Sequence, residues 1–225
     1  MILLGSIVNG AAIAAGGFVG LFVGKLLPDR MQKTLMSALA LVVIGIAVPG
    51  ISDSQKPLVP ILSMVLGTVL GELLDLDSAV IRLGDWLQRK TGGRGKFTDG
   101  FVNGTMVFAV GAMAIMGALN SGLQGDHTVL LSKSVIDGVS SVIFASTLGV
   151  GVLFSSVPVF LLEALITLLA SLLAPLLGAD VLAEISSVGS LLILAISLNM
   201  LGVTKIRLLN LVPAMFFPLL LCKFL

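Results

Sequence analysis

The residues in this 225-residue chain best suited to chemistry lie inside otherwise apolar segments. The stretch SKSVIDGVSSVIFASTLG, from Ser132, places Lys133, Asp137, Ser140, Phe144 and Thr147 along one helical stripe. Ser134, Gly138, Ser141, Ala145 and Gly149 form a neighbouring stripe of small residues that permits close helix packing. A carboxylate near a bilayer centre costs about 2.5–3.5 kcal/mol, so Asp137 should face protein or a wet cavity. One reading makes Asp137 a proton or cation site supported by Ser140, Ser141 and nearby amides. The other makes Lys133 and Asp137 a structural pair at i,i+4. The two are compatible if a cation replaces the Lys133 ammonium during a cycle.

Asn9, Asn103 and Asn199 are the candidate buried amides. Each can bridge helices, for about 0.6 kcal/mol on average, or offer a carbonyl to a substrate or ion. Asn9 and Asn103 recur in similar phrases, IVNGA and FVNGT. Glu163 has no evident partner in the sequence. An intramembrane site and snorkelling to the surface both fit it. Glu72, beside Asp75 and Asp77, reads as an acidic boundary or as a cation vestibule.

Catalysis has no comparable pattern. His127 stands in a loop beside Asp126, and no HExxH occurs. One cysteine and one histidine argue against a zinc or iron–sulfur site, and no cofactor is expected. A net charge of +1 gives no case for nucleic acid.

The elements that must position these residues are membrane helices. Hydrophobic residues make up 57% and charged residues 11%, less than half the ~25% of soluble domains. Mean hydropathy is +1.15. The apolar runs lack the alternation of a membrane β-barrel, so they must be helices that satisfy their own backbone. The expected fold is all-α, a polytopic transmembrane bundle forming a single membrane domain over 1–225. Eight spans are predicted, near 2–27, 35–51, 58–74, 101–123, 129–154, 157–177, 188–203 and 208–225. Seven spans, or one re-entrant segment, is the alternative. The N-terminal run has no basic region before it and reads as a retained first span.

With the N-terminus outside, ten of the thirteen Lys and Arg residues fall on inner loops, as the positive-inside bias requires. Residues 75–99 read as a cytoplasmic interfacial helix and loop anchored by Trp86. The stretches from Leu26 and Leu176 share a Leu-Leu-breaker-Asp pattern before an apolar run. Spans 1–3 and 6–8 could therefore be an inverted repeat, a recurring plan of secondary transporters.

Three segments carry a family resemblance: VNGAAIAAGGFVGLFVGKLLPDRMQKTLMSALAL from Val8, LGTVLGELLDLD from Leu66, and FVNGTMVFAVGAMAIMGALNSGLQGDHTVLLSKSVIDGVSSVIFASTLGVGV from Phe101. Together the chain resembles the YdfK/YqgA type of bacterial inner-membrane proteins of unknown function. The resemblance implies a bacterial plasma membrane and a polytopic helical fold, but no activity and no site residues.

The expected function is a transporter or channel-like permease for a small solute or cation, its pathway lined by spans 4 and 5. The rival expectation is a non-transporting scaffold or regulatory subunit that docks a partner through residues 75–99. The lipid bilayer is the expected surrounding, and a homo-oligomer is compatible with the glycine-rich helix faces.

Overall fold

The chain is all-helical in the computed structural model, which describes residues 1–78, 82, 97–109 and 112–224. Among the described residues, five helical segments are long and apolar enough to cross a bilayer, one of them Gly151–Leu168. A bent pair makes a sixth crossing if its halves are counted together. Two shorter apolar helical stretches, Leu58–Leu74 and Leu208–Leu221, fall where the third and eighth spans were expected.

Helix α1 spans Leu4–Leu26, α2 Asp29–Ser52 and α3 Leu58–Leu74. The apolar run of α1 breaks at Pro28, and α2 starts directly after it. The helix therefore begins six residues before the apolar run expected from Leu35. Its early polar residues are satisfied within the helix. Thr34 and Ser37 hydroxyls donate to the carbonyls of Arg30 and Lys33, at 3.1 and 3.3 Å.

The fourth expected span is two helices, α4 (Phe97–Ala109) and α5 (Ala112–Gln124), bent by 59°. Helix α6 covers Thr128–Leu148 and stops at Gly149, whose φ of +79° suits glycine. The apolar run continues past that stop as the short α7 (Gly151–Phe154) and α8 (Ser156–Leu168). A further short helix, α9 (Ala170–Leu173), ends in a 3₁₀ turn at Ala174–Leu176. Helix α10 then runs Ala179–Met200. The last apolar stretch is a 3₁₀ helix, Leu208–Phe216, followed by α11, Pro218–Leu221.

The chain forms two compact units. The first contains residues 1–39 and 84–174, and the second 40–83 and 175–225. In the first unit α1 lies along α6 in parallel. Gly16, Gly20 and Gly24 form a ridge whose missing side chains admit the backbone of α6. A Cβ on Gly16 would meet Ser141 and the Gly138 carbonyl, and one on Gly20 the Val142 carbonyl. Helices α7 and α8 run antiparallel to α1, with Gly17 beside Leu153 and Gly10 beside Phe160. Ile13, Leu130, Val152 and Val159 are fully enclosed, and Phe108 meets Phe144 edge to face at 5.8 Å.

In the second unit α3 packs antiparallel on the 3₁₀ helix. A Cβ on Gly67 would strike Ala214, and one on Gly71 the Asn210 carbonyl. Helix α2 approaches α10 where Gly50 faces Ser190. Below that contact the fully buried Glu184 holds the α2–α3 turn. It accepts hydrogen bonds from Ser54 Oγ (2.7 Å) and from the backbone N–H groups of Gln55 and Lys56 (both 2.8 Å). Lys56 also pairs with Asp180 at 3.8 Å. Glu184→Ala should therefore lower stability by about 1–3 kcal/mol, because it orphans three donors at once. Thermal unfolding of the purified protein in detergent checks this; an unchanged midpoint would show that water replaces the carboxylate without cost.

Candidate functional site

The first unit gathers four of the polar residues singled out from the sequence. Lys133 and Asp137 lie one turn apart on α6, about 8 and 14 Å from its start at ~1.5 Å per residue. Asn9 comes from α1 and Glu163 from α8. All four are buried, Asn9 and Glu163 completely. The Lys133 ammonium bonds the Asp137 carboxylate and stands 3.6 Å from Glu163 Oε1. The Asn9 amide donates to both carboxylates, at 3.1 Å to Asp137 and 2.7 Å to Glu163. Lys133 therefore has two carboxylates within ion-pair range, not one.

The fifth participant is a backbone group. Lys133 Nζ donates to the Phe108 carbonyl at 2.6 Å. Phe108 sits in the last turn of α4, where helix carbonyls lack an intrahelical partner and the helix dipole is negative. The bend between α4 and α5 thus leaves a carbonyl aimed at a cation. Sequence reasoning missed this partner because a backbone acceptor carries no residue signature.

Two acceptors in the cluster have no partner: Asn9 Oδ1 and Glu163 Oε2. Two buried hydroxyls nearby in the chain, Ser6 and Thr167, are also unpartnered. Ser6 precedes Asn9 by nearly one turn on α1, and Thr167 follows Glu163 by one turn on α8.

The remaining candidates have other surroundings. Ser141 turns back to the Gly138 carbonyl at 2.8 Å and packs against Gly16. Ser140 and Asn103 are half-buried on α6 and α4, and neither hydrogen-bonds to the cluster. Asn199 belongs to the second unit and closes the turn after α10. Its amide donates to the Ile206 carbonyl (2.8 Å) and accepts from the Ile206 N–H (2.9 Å) and the Thr204 hydroxyl (2.7 Å). Its carbonyl oxygen, with two donors on it, and one amide N–H serve that turn.

Glu72, Asp75 and Asp77 are gathered by Arg207. The guanidinium lies 3.0 Å from Glu72, 2.7 Å from Asp75 and 3.9 Å from Asp77. The Ser78 hydroxyl, with Arg207 beside it, holds the Asp75 carboxyl below the usual carboxylate range. Asp75 ends α3 in the left-handed region, at φ 47°. Most of the interfacial segment expected over 75–99, with Trp86 and Arg89, lies outside the described residues. Among the described residues no group of three or more His, Cys, Asp or Glu side chains could hold a metal ion.

An outward-opening groove of about 660 Å³ follows the α1–α6 seam, lined by Ala12, Ala15, Val19, Leu131, Val135 and Val139 among others. Its walls are almost wholly apolar, so it offers nothing to an ion.

Apolar helices of spanning length around a buried charged cluster define an all-helical membrane protein. The chain belongs to the DUF554 family of proteins of unknown function, which it matches over residues 4–223. It is 29% identical over 220 residues to the "uncharacterized membrane protein YdfK" of Bacillus subtilis (strain 168), covering 96% of this chain and 94% of that one. It is 28% identical over 218 residues to the "uncharacterized protein YqgA" of Escherichia coli (strain K12), covering 94% and 93%. No solved structure matches it.

Proposed function

We propose that the protein is a permease for a small solute or cation, crossing the bacterial inner membrane several times with its N-terminus outside. Its ion-binding point is the cluster of Asn9, Lys133, Asp137 and Glu163, and its pathway follows α4, α5 and α6. The observation that carries this reading is the meeting of the cluster with the end of a broken helix. Discontinuous helices whose carbonyl ends face a cation are a device of secondary transporters. Charged groups deep in such helices are expensive and mark ion or substrate paths. The Lys133 ammonium occupies the position that a transported cation would take, between two carboxylates and the Phe108 carbonyl. The proposed inverted repeat of spans 1–3 and 6–8 belongs to the same reading, as a means of alternate exposure.

Flux in proteoliposomes tests it, using a panel of cations and small solutes. Asp137→Asn removes one charge-assisted hydrogen bond, worth about 1.5–3 kcal/mol, so flux should fall at least about tenfold. Unchanged flux would remove Asp137 from the mechanism. No flux across the whole panel, together with a stoichiometric partner copurifying from the membrane, would favour a scaffold.

A further inference from the structure

We infer that the ion exchanged at this cluster is the proton, carried by Glu163 and bound on Oε2 in the resting state. The inference deepens the permease reading, on which it rests only for the proton's part in transport. Its first support is charge. The cluster holds two carboxylates and one ammonium, all buried. A net negative charge enclosed in protein is strongly disfavoured, and one added positive equivalent neutralises it.

The second support is hydrogen-bond geometry, which says where that equivalent sits. The Asp137 carboxylate takes the direct bond of the Lys133 ammonium and the Asn9 amide, both on Oδ2, so the lysine charge is matched there first. Glu163 receives the Asn9 amide on Oε1, while Oε2 and Asn9 Oδ1 are both left without a partner. Asn9 thus supplies the N–H on Oε1 and also a buried acceptor that lacks a donor. A proton on Oε2 gives that pair the donor it lacks, as in a carboxylic acid–amide dimer. One proton therefore accounts for the excess charge and for both orphaned oxygens.

The third support is a route. Ser6 and Thr167 are buried hydroxyls without partners, each about one turn from the cluster. Because α8 runs antiparallel to α1, both lie on the side of Asn9 and Glu163 that leads to the start of α1. A hydroxyl can donate and accept, so the two can relay a proton between Glu163 and water at that end. Asp126 and His127 stand just before α6, at the end to which the route leads. Lys133 and Asp137 of α6 face Glu163. Helices α5, α7 and α9 carry no charged residue. Lys25 lies at the far end of α1 and Asp99 in the first turn of α4, away from Glu163.

Infrared spectroscopy of the protein in liposomes tests the proposal without any transport assay. At neutral pH the wild type should show the carbonyl stretch of a protonated, buried carboxyl, shifting in heavy water. Glu163→Gln should abolish that band, and raising the pH should titrate it away. If Glu163→Gln does not fold, isotope-labelled glutamate assigns the band to a glutamate, and its persistence in labelled Glu184→Gln assigns it to Glu163. A missing band at neutral pH, or a band unmoved by both the substitution and the label, would overturn the inference. So would a carboxylate signal that answers to sodium and not to pH. A positive infrared result without flux leaves the proton site standing and removes the permease; flux without the band does the reverse.

Discussion

Lys133→Met should destabilise the protein by about 3–5 kcal/mol, the cost of breaking a buried ion pair by removing one partner. Methionine keeps much of the lysine stem and its packing, so the loss is electrostatic. The Asp137 carboxylate would retain only the Asn9 amide at 3.1 Å, and the Phe108 carbonyl would lose its donor. Asp137→Asn should cost much less. Lys133 would still hold the Phe108 carbonyl and stand beside Glu163, which can ionise and become its partner. The double variant, Lys133→Met with Asp137→Asn, should recover most of the stability lost by Lys133→Met, because it removes both charges together. With the proton on Glu163 the doubly substituted cluster is neutral throughout. Thermal unfolding in detergent across the cycle measures the coupling. Equal losses for the two single variants, with additive loss in the double, would show that the pair does not act as a unit.

The cluster shows which parts of the molecule could be read from sequence. Each member announced itself as a polar residue in an apolar run. Their meeting did not, because Asn9 lies 128 residues from Asp137 and 154 from Glu163. Hydropathy also fails wherever a helix breaks without becoming polar. The run from Phe101 to Leu123 is uncharged and has no polar residue between Met106 and Leu119, yet it holds two helices bent by 59°. The run from Val129 to Phe154 is interrupted by Gly149 at positive φ, a backbone event with no change in polarity. The opposite error occurs at α10. Glu184, Ser186 and Ser187 moved the expected start to Val188, whereas the helix begins at Ala179. Its glutamate is paired by the α2–α3 turn, and Ser187 donates to the Ile51 carbonyl at 3.3 Å. Where an apolar run has polar flanks and no internal break, reading and structure coincide, as at Leu58–Leu74.

The glycines give the last contrast, between a spacing visible in sequence and a consequence visible only in structure. Gly20→Val should cost about 3 kcal/mol, at the upper end of overpacking. Its Cβ would point at the Val142 carbonyl and the Ala145 methyl of α6. Backbone cannot swing aside as a flexible side chain can, so α1 and α6 would have to separate along the ridge. That separation reaches the cluster, since Asn9 is carried by α1 and Lys133 and Asp137 by α6. The variant should therefore lose flux together with stability. Gly45, in the interior of α2, is the control. Nothing lies within 4 Å of a Cβ there, so Gly45→Ala should stabilise by roughly 1 kcal/mol from helix propensity alone. Thermal unfolding of both variants decides the matter. If the two substitutions act alike, the glycine ridge is a matter of propensity and not of close approach.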